Sequence, residues 1–471
     1  MKKSSLFVDF GLLKTNRNFR SVFIARTISL LGLGMLAVAV PMQVYQLTGN
    51  TFYVGVAMAL EGVGMFVGLL LGGVLADRYD RKKLILFARS TCGIGFLGLA
   101  LNAWLSAPSI WAVYILSIWD GFFGALGVTA LMAVMPFIVG RENIMQARAI
   151  SMVTVRLATV ISPAIGGIII AISSVGWNYL IAAIGTGLTL IPLLALPSMK
   201  PKVDEIDHPL KALADGFRFL FTNKIVASAA LIGTLVTLTT AIRVLFPALA
   251  ETAYGGGAFE VGLMYSAVPL GATFGAIISG WANNLQRPGF VMILTSIAAF
   301  VCMMLLGLNN NFIFALVLLA VFGYLVSISS LLQYTIVQGH TPDHYLGRIN
   351  GLWTAQDASG DSLGTLGIGV LGKFMSSLAS IFTFGAVAAG LGVVMLALFK
   401  TLRNAPLNSE ENVEENNEEL NKELRKEEKE VLAVWLHELW NTVSNQVGDN
   451  FSERGPGRRS ARRKSRRCRE C

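Results

Sequence analysis

The sequence has little charge and few cysteines. Asp, Glu, Lys and Arg make up 14% of the chain, against roughly 25% in an average soluble domain. The four cysteines lack the spacing of a disulfide framework or a zinc site, and Pro342 separates His340 from His344, so no metal site is predicted. No G-x-x-x-x-G-K-[ST] phosphate loop is present, which argues against direct ATP coupling. No nucleophile, base and orienting group suggest themselves, and no enzyme is predicted.

Apolar residues are abundant instead. They form 54% of the chain, and the mean hydropathy is +0.60. Because about twenty apolar residues cross a bilayer, the long apolar runs predict an all-α polytopic membrane protein with twelve transmembrane helices in two six-helix halves. The predicted spans are Phe19 to Leu47, Phe52 to Ala76, Leu84 to Leu105, Ser109 to Met135, Ala147 to Ile172, Trp177 to Leu196, Ile225 to Ala250, Val261 to Trp281, Gly289 to Leu308, Phe312 to Val337, Leu346 to Leu371 and Met375 to Phe399.

Lys and Arg cluster in alternate gaps, which are expected to face the cytoplasm. Both termini are therefore predicted to be cytoplasmic, and the basic excess indicates cytoplasmic loops rather than a nucleic-acid partner. The predicted organisation is a segment 1–18, a half 19–196, a central loop 197–224 with an amphipathic helix from His208 to Phe221, a half 225–400, and a charged, mostly disordered tail 401–471. The halves echo each other: Arg148 and Arg348 lie 200 residues apart, each at the start of the fifth helix of its half.

The segment G-G-V-L-A-D-R-Y-D-R-K-K lies between the second and third spans. Gly73 would let two helices approach closely. Asp77, at the end of one helix, could pair with Arg78, Arg81 and Lys82, which could also bind carbonyls at helix C-termini. Such a charge cluster predicts a gate between the halves. The simpler alternative is a basic loop that only fixes topology.

This spacing resembles the loop signature of the major facilitator superfamily over roughly the first 400 residues, although Asp80 replaces a family Gly. The run S-P-A-I-G-G resembles the family's antiporter motif, with Ser162 in place of Gly, and in the family this motif accompanies export. Pro163, Gly166 and Gly167 could together form a bending point and a seal. An ordinary proline kink is the alternative.

A few charged residues fall within the predicted spans. They are Arg26, Glu61, Asp120, Arg156, Arg243, Asp357 and Asp361. A charge at bilayer depth is costly unless it faces protein or water, so these side chains are expected to point inward.

The superfamily resemblance implies that spans one, four, seven and ten line a central cavity. The substrate-cavity residues would then be Arg26, Asp120, Arg243, Gln333 and Tyr334. The alternative is a set of structural ion pairs, such as Asp120 with Arg26 or with Arg156. Asp120 is the preferred proton carrier because it lies near mid-depth, and Glu61 and Asp361 are weaker candidates.

Stretches such as W-D-G-F-F around Asp120 and L-G-R-I-N-G-L-W-T-A-Q from Leu346 closely resemble bacterial exporters of the catecholate siderophore enterobactin. This resemblance implies export from cytoplasm to periplasm across the inner membrane, driven by the proton gradient with no bound cofactor. The expected partners are the siderophore, the lipid bilayer and an outer-membrane efflux channel acting downstream. The alternatives are multidrug or macrolide efflux by the same fold, and a non-transporting membrane sensor or scaffold.

Overall fold

A computed structural model describes residues 10–199 and 218–406 of the chain. In this part of the chain the long helices, numbered in chain order, are α1 Arg17–Thr48, α2 Thr51–Arg78, α3 Arg81–Ala103, α4 Ile110–Val139, α5 Ile144–Ile172, α6 Val175–Leu194, α7 Lys224–Thr252, α8 Ala258–Ile278, α9 Pro288–Gly307, α10 Phe312–Gly339, α11 Asp343–Phe374 and α12 Ser377–Leu398. Each predicted span falls on one of these helices, so the prediction of an all-α polytopic bundle is confirmed.

Short polar side chains define where many of the helices begin. Asn16, Asn50, Asn223 and Asn311 each accept a hydrogen bond from a backbone N–H in the first turn of the following helix. Such caps satisfy N–H groups that have no partner within the helix. These polar residues just before apolar runs therefore fix where the four helices begin, close to the boundaries that the sequence pattern predicts.

One helix differs from the rest in composition. Eleven helices among the described residues are apolar and long enough to cross a membrane, and α11 does not qualify although it has 32 residues. It carries Arg348, Asp357, Asp361 and Lys373. Because α11 packs against α2 and α7, much of its surface faces protein, which explains how a polar helix fits within the bundle.

The packing of α1 to α6 is repeated in α7 to α12. Helix α2 packs against α4 and α3 against α6, and in the same way α8 packs against α10 and α9 against α12. The two sets meet where α2 packs against α11 and α5 against α8. A repeated six-helix unit with two such seams is the geometry expected of a transporter that rocks about its middle.

The buried side chains form different cores at the two ends of the bundle. The end that carries the loop Arg78 to Lys83 is called the basic side here, and the other end the outer side. On the outer side one core, called the outer core, joins both halves, with Val44 and Val54 packed together with Leu245 and Ile368.

On the basic side each half has its own core. The first inner core contains only residues of α1 to α6 and their flanks. The second inner core contains only residues from Val226 onward. Within the described part of the chain, the two halves therefore share a buried apolar core on the outer side and share none on the basic side, an arrangement that is open toward the basic side.

Two predicted segments fall largely outside the described residues. The amphipathic segment from His208 to Phe221 is described only from residue 218, and the tail is described only as far as residue 406.

Candidate functional site: the central charged pathway

Helix α7 is broken at the position of its only charged residue within the bilayer. An α-helical segment Lys224–Thr240 is followed by a 3-10 segment Ala241–Leu245 and a second α-helical segment that begins at Phe246. Pro247 has no N–H to donate to the carbonyl four residues earlier, that of Arg243. The Tyr265 hydroxyl donates to this carbonyl at 3.0 Å. The break therefore holds Arg243 inside the span with its backbone carbonyl hydrogen-bonded.

The Arg243 side chain pairs with an acidic residue of the polar helix α11. Its Nη2 donates to Asp361 Oδ2 at 2.5 Å, and both side chains are less than one-third exposed. Glu61, on α2 of the other half, lies within electrostatic reach of both partners. This group therefore links the two halves through charge as well as through apolar packing.

Asp120 lies in a second group, within α1 to α6. It is 6% exposed and lies within electrostatic reach of Glu61 and of Arg89 on α3. Arg89 in turn interacts with Arg26 on α1, and its Nε is buried without a hydrogen-bond partner. Glu61 is thus the common neighbour of the two groups, and together they form a row of charges across the middle of the bundle.

Among the described residues, no ion pair joins Asp120 to Arg26 or Arg156, whereas Arg243 pairs with Asp361. Arg156 is exposed on α5. The structure thus differs from the expected pairing of Asp120. The physical reason is that Arg89, on a helix packed directly against α4, lies near Asp120 instead.

The two polar residues expected on α10 point in different directions. Gln333 is 5% exposed, and a Cβ added at Gly233 of α7 would overlap its amide, so Gln333 fills a helix contact. Tyr334 is 50% exposed, and its ring meets that of Trp353 at 5.7 Å between centroids. Of the pair, Tyr334 is the residue available to a solute.

A cavity of about 330 Å³ adjoins the Arg243 side of the charge row. Helices α1, α5, α7, α8 and α10 line it, and most of its wall is apolar. Polar groups come from Thr159, Thr240, Arg243 and Tyr265. A largely apolar wall with a few convergent polar groups is typical of a small-molecule site.

The antiporter-like motif lies where α5 meets its neighbours. A Cβ at Gly166 would come within 3.0 Å of the Met35 backbone on α1, and one at Gly167 within 2.9 Å of Gly262 on α8. Ser162, which replaces the usual glycine, is buried and donates to the Leu31 carbonyl at 2.6 Å. The motif thus packs α5 against the other half, and the serine adds a hydrogen bond to α1.

In the loop between α2 and α3, Asp80 caps α3 by accepting from Lys82 N at 2.9 Å, and it also accepts from Ser198 and from Met199 N after α6. Burial acts to raise the pKa of Asp80, but these hydrogen bonds outweigh it and hold the pKa below the usual value. The acid that replaces the family glycine therefore ties the loop to the end of α6.

Other residues of the predicted gate take up separate positions. Arg81 donates to the Ala76 carbonyl at 3.2 Å and lies over the Phe137 ring, while Arg78 is exposed and Lys82 half-buried. The Asp77 side chain lies outside what the structure describes. A Cβ at Gly73 would have no neighbour within 4 Å, so the expected close helix approach is absent here, because the two halves are separate on the basic side.

Comparison with known proteins decides the family. The profile of the Major Facilitator Superfamily matches residues 22–365. The chain belongs to the major facilitator superfamily. It is accordingly a membrane transporter of this superfamily and not an enzyme.

The relatives of this superfamily member include exporters. The chain is 51% identical over 403 residues to "Enterobactin exporter EntS" of Escherichia coli O1:K1 / APEC, a match that covers 86% of this chain and 97% of the relative. The protein of the same name from Shigella boydii serotype 4 (strain Sb227) matches equally well.

Solved structures support the fold alone. The nucleoside transporter NupG aligns with a TM-score of 0.65 at 15% identity, covering 83% of this chain and 100% of that one. A POT family transporter in complex with 5-aminolevulinic acid aligns with a TM-score of 0.64 at 14% identity, covering 82% and 97%.

Sequence reasoning missed two of the residues at this superfamily site. Arg89 lies eight residues into α3. Its charge within an apolar span is the sequence signal by which it could have been identified. Trp353 contacts Asp357 and Tyr334, but a single Trp in a membrane helix carries no such signal. The contact becomes visible only when α10 and α11 are placed together.

Proposed function

We propose that the chain exports enterobactin from the cytoplasm to the periplasm across the bacterial inner membrane. The observation that carries this proposal is the 51% identity to enterobactin exporters, which extends over 97% of their length. Sequence identity at this level, over both halves and the pathway between them, supports a shared cargo. The weaker structural likenesses support only the fold.

Alternating access is supported by the arrangement of the apolar cores. The outer core joins the halves, whereas the inner cores are separate. If the basic side faces the cytoplasm, as the Lys and Arg distribution favours, this conformation is the one that takes up cargo from inside the cell.

Proton coupling is assigned to the charged row. Asp120 is buried and has Arg89 and Glu61 within electrostatic reach, so a change in its charge would alter the balance across the row. Glu61 connects Asp120 to the pair of Arg243 with Asp361. We infer that protonation in the first half is communicated to the second half through Glu61, with Asp361 as a further candidate carrier.

The gate on the basic side is inferred from the register of α2 against α11. Gly55 meets Gly369 at 3.2 Å from an added Cβ, and Gly62 meets Ser362. The helices are antiparallel, so a step of eleven residues, or three turns, from Gly62 and Ser362 reaches Gly73 and Gly351. An added Cβ at either of these glycines would have no neighbour within 4 Å. We infer that these two faces meet when the basic side closes.

The experiment compares siderophore in cytoplasm and medium of iron-starved cells. A deletion strain should retain enterobactin inside the cell, and a plasmid copy should restore secretion. The Asp120→Asn variant should fail to restore secretion while remaining folded in the membrane, because the asparagine amide cannot take up and release a proton as the carboxylate does. Restored secretion by this variant would remove Asp120 from the coupling role.

Two further outcomes separate the alternatives. If the deletion strain secretes enterobactin normally but becomes sensitive to macrolides, the cargo is a drug. If Asp77→Asn has no effect on the movement of any solute, the gate has no transport role and a sensor or scaffold is favoured. Accumulation of enterobactin in the periplasm on removal of an outer-membrane channel would support such a channel as the downstream partner.

A further inference from the structure

An aromatic and acidic corner lies on α10, α11 and α7, with Asp357 one helical turn before Asp361 of the Arg243 pair. The Tyr334 and Trp353 rings meet at 5.7 Å between centroids and 68° between planes. Trp353 Nε1 donates to Asp357 Oδ2 at 3.0 Å, and Thr237 Oγ1 donates to Asp357 Oδ1 at 3.3 Å. Two aromatic faces and one oriented carboxylate therefore share a single site.

This corner faces the aqueous pathway. Tyr334 and Asp357 are exposed, and an exposed carboxylate fourteen residues into a membrane helix cannot face hydrocarbon at acceptable cost. The corner also covers Thr237 of α7, a helix packed between α10 and α11. Its exposed surface is therefore accessible from the basic side, where the two halves are separate.

We propose that this corner is a binding subsite for one uncharged catechol ring, a deepening that rests on the proposed function. Each Asp357 oxygen already accepts one hydrogen bond and has a further lone pair, so the carboxylate can accept both adjacent hydroxyls of a catechol. Rings inclined at 68° allow a third ring to stack on one and meet the other edge to face. The ring and the diol are then recognised together.

The same carboxylate selects against the iron complex of the cargo. In a metal chelate the catechol oxygens have lost their protons to coordinate the metal, so they cannot donate to Asp357. They would also bring negative charge toward Asp357 and toward Asp361, which lies within electrostatic reach of it. A site built to receive hydroxyl donors rejects a ligand that lacks them, because its own polar groups are left unpaired.

The test measures binding to the purified full-length protein in lipid nanodiscs. The probes are iron-free enterobactin and its gallium(III) complex, which has the charge of the ferric complex without its redox chemistry. The wild-type protein should prefer the iron-free form. Asp357→Asn should weaken binding of the iron-free form about tenfold, the loss expected for charged hydrogen bonds, and should bring the ratio of the two affinities close to one.

Matched variants separate recognition from folding. Trp353→Phe keeps the ring but removes the donor that orients Asp357, and should weaken iron-free binding about threefold. Glu251→Gln removes an exposed carboxylate at the outer end of α7 and should change neither affinity. Size-exclusion profiles verify that each variant is folded.

The possible results fall into distinct groups. If the wild-type protein binds neither probe, the proposed cargo is wrong and the subsite falls with it. If the wild-type protein discriminates and Asp357→Asn keeps the same ratio, or loses both affinities equally, the cargo stands and the subsite is overturned. A ratio near one with a folded Asp357→Asn variant supports the subsite.

Discussion

The two ends of this bundle are built differently although the same helices pass through both. On the outer side, glycines at Gly55 and Gly167 allow helices of opposite halves to touch, and one apolar core surrounds them. On the basic side, Gly73 and Gly351 have open space beside them. We call the contacts at Gly55 and Gly167 the outer seal. The difference teaches that this state makes the glycine contacts of the outer seal, whereas the contacts that we propose between Gly73 and Gly351 are open.

The largest effect is expected when the pair of Arg243 with Asp361 is broken by substitution. Arg243→Ala leaves the partly buried Asp361 carboxylate without its partner and should lower the free energy of unfolding by about 3 kcal/mol, with loss of export. Thermal unfolding in detergent measures the first and siderophore secretion the second.

The matched control for that pair is the double variant Arg243→Ala with Asp361→Ala. Because the Asp361 carboxylate that the single variant leaves unpaired is also removed, the double variant should recover much of the stability while staying inactive. Equal stability of the single and double variants would contradict a coupled pair.

At the outer seal, Gly167→Ala should lower the free energy of unfolding by about 1 to 3 kcal/mol. The added methyl group would lie 2.6 Å from the Ala258 carbonyl oxygen, and backbone cannot easily move aside. Thermal unfolding with and without cargo is the measurement. An unchanged midpoint would mean that the outer seal relaxes freely.

At the basic end the same substitution should have the opposite sign. Gly351→Ala meets no atom within 4 Å and replaces a helical glycine, so it should stabilise the observed conformation by about 0.5 to 1 kcal/mol. Export should nevertheless fall, because the methyl group obstructs closure against Gly73.

Cross-linking tests the register directly. In a background without the native cysteines, Gly73→Cys with Gly351→Cys should form a disulfide during turnover and stop export until it is reduced. Absence of this cross-link, when a Gly62→Cys and Ser362→Cys control forms one, would contradict the inferred gate.

The most local effect is expected at Asp80, which joins the loop after α2 to the end of α6 within one half. Asp80→Asn should cost about 0.5 to 2 kcal/mol, as for loss of a helix cap. Because hydrogen bonds lower the pKa of Asp80, its contribution is present above its unfolded pKa and is lost as pH falls through the folded value. Thermal unfolding between pH 7 and pH 3 should thus bring wild type and variant together in acid.

The sequence predicts the helices well because hydropathy and bilayer thickness fix where they lie. It also selects Arg243 and Asp361, since charges within apolar runs stand out. It does not predict that Asp120 lies near Arg89 rather than Arg156, because neighbours across helices depend on rotation about each axis. Nor does it predict which end is open, because one sequence must support both states with a small free-energy difference.

The break in α7 has a mechanical consequence. Residues before it, such as Val226 and Ile232, pack in the second inner core, and residues within and after it, such as Leu245 and Leu249, pack in the outer core. The 3-10 segment thus connects a part of α7 that packs within its own half to a part that packs against both halves. We expect the outer core to separate by rotation at this 3-10 segment, and this rotation would also move the Arg243 guanidinium. Opening of the outer side and rearrangement of the charges would then be a single movement.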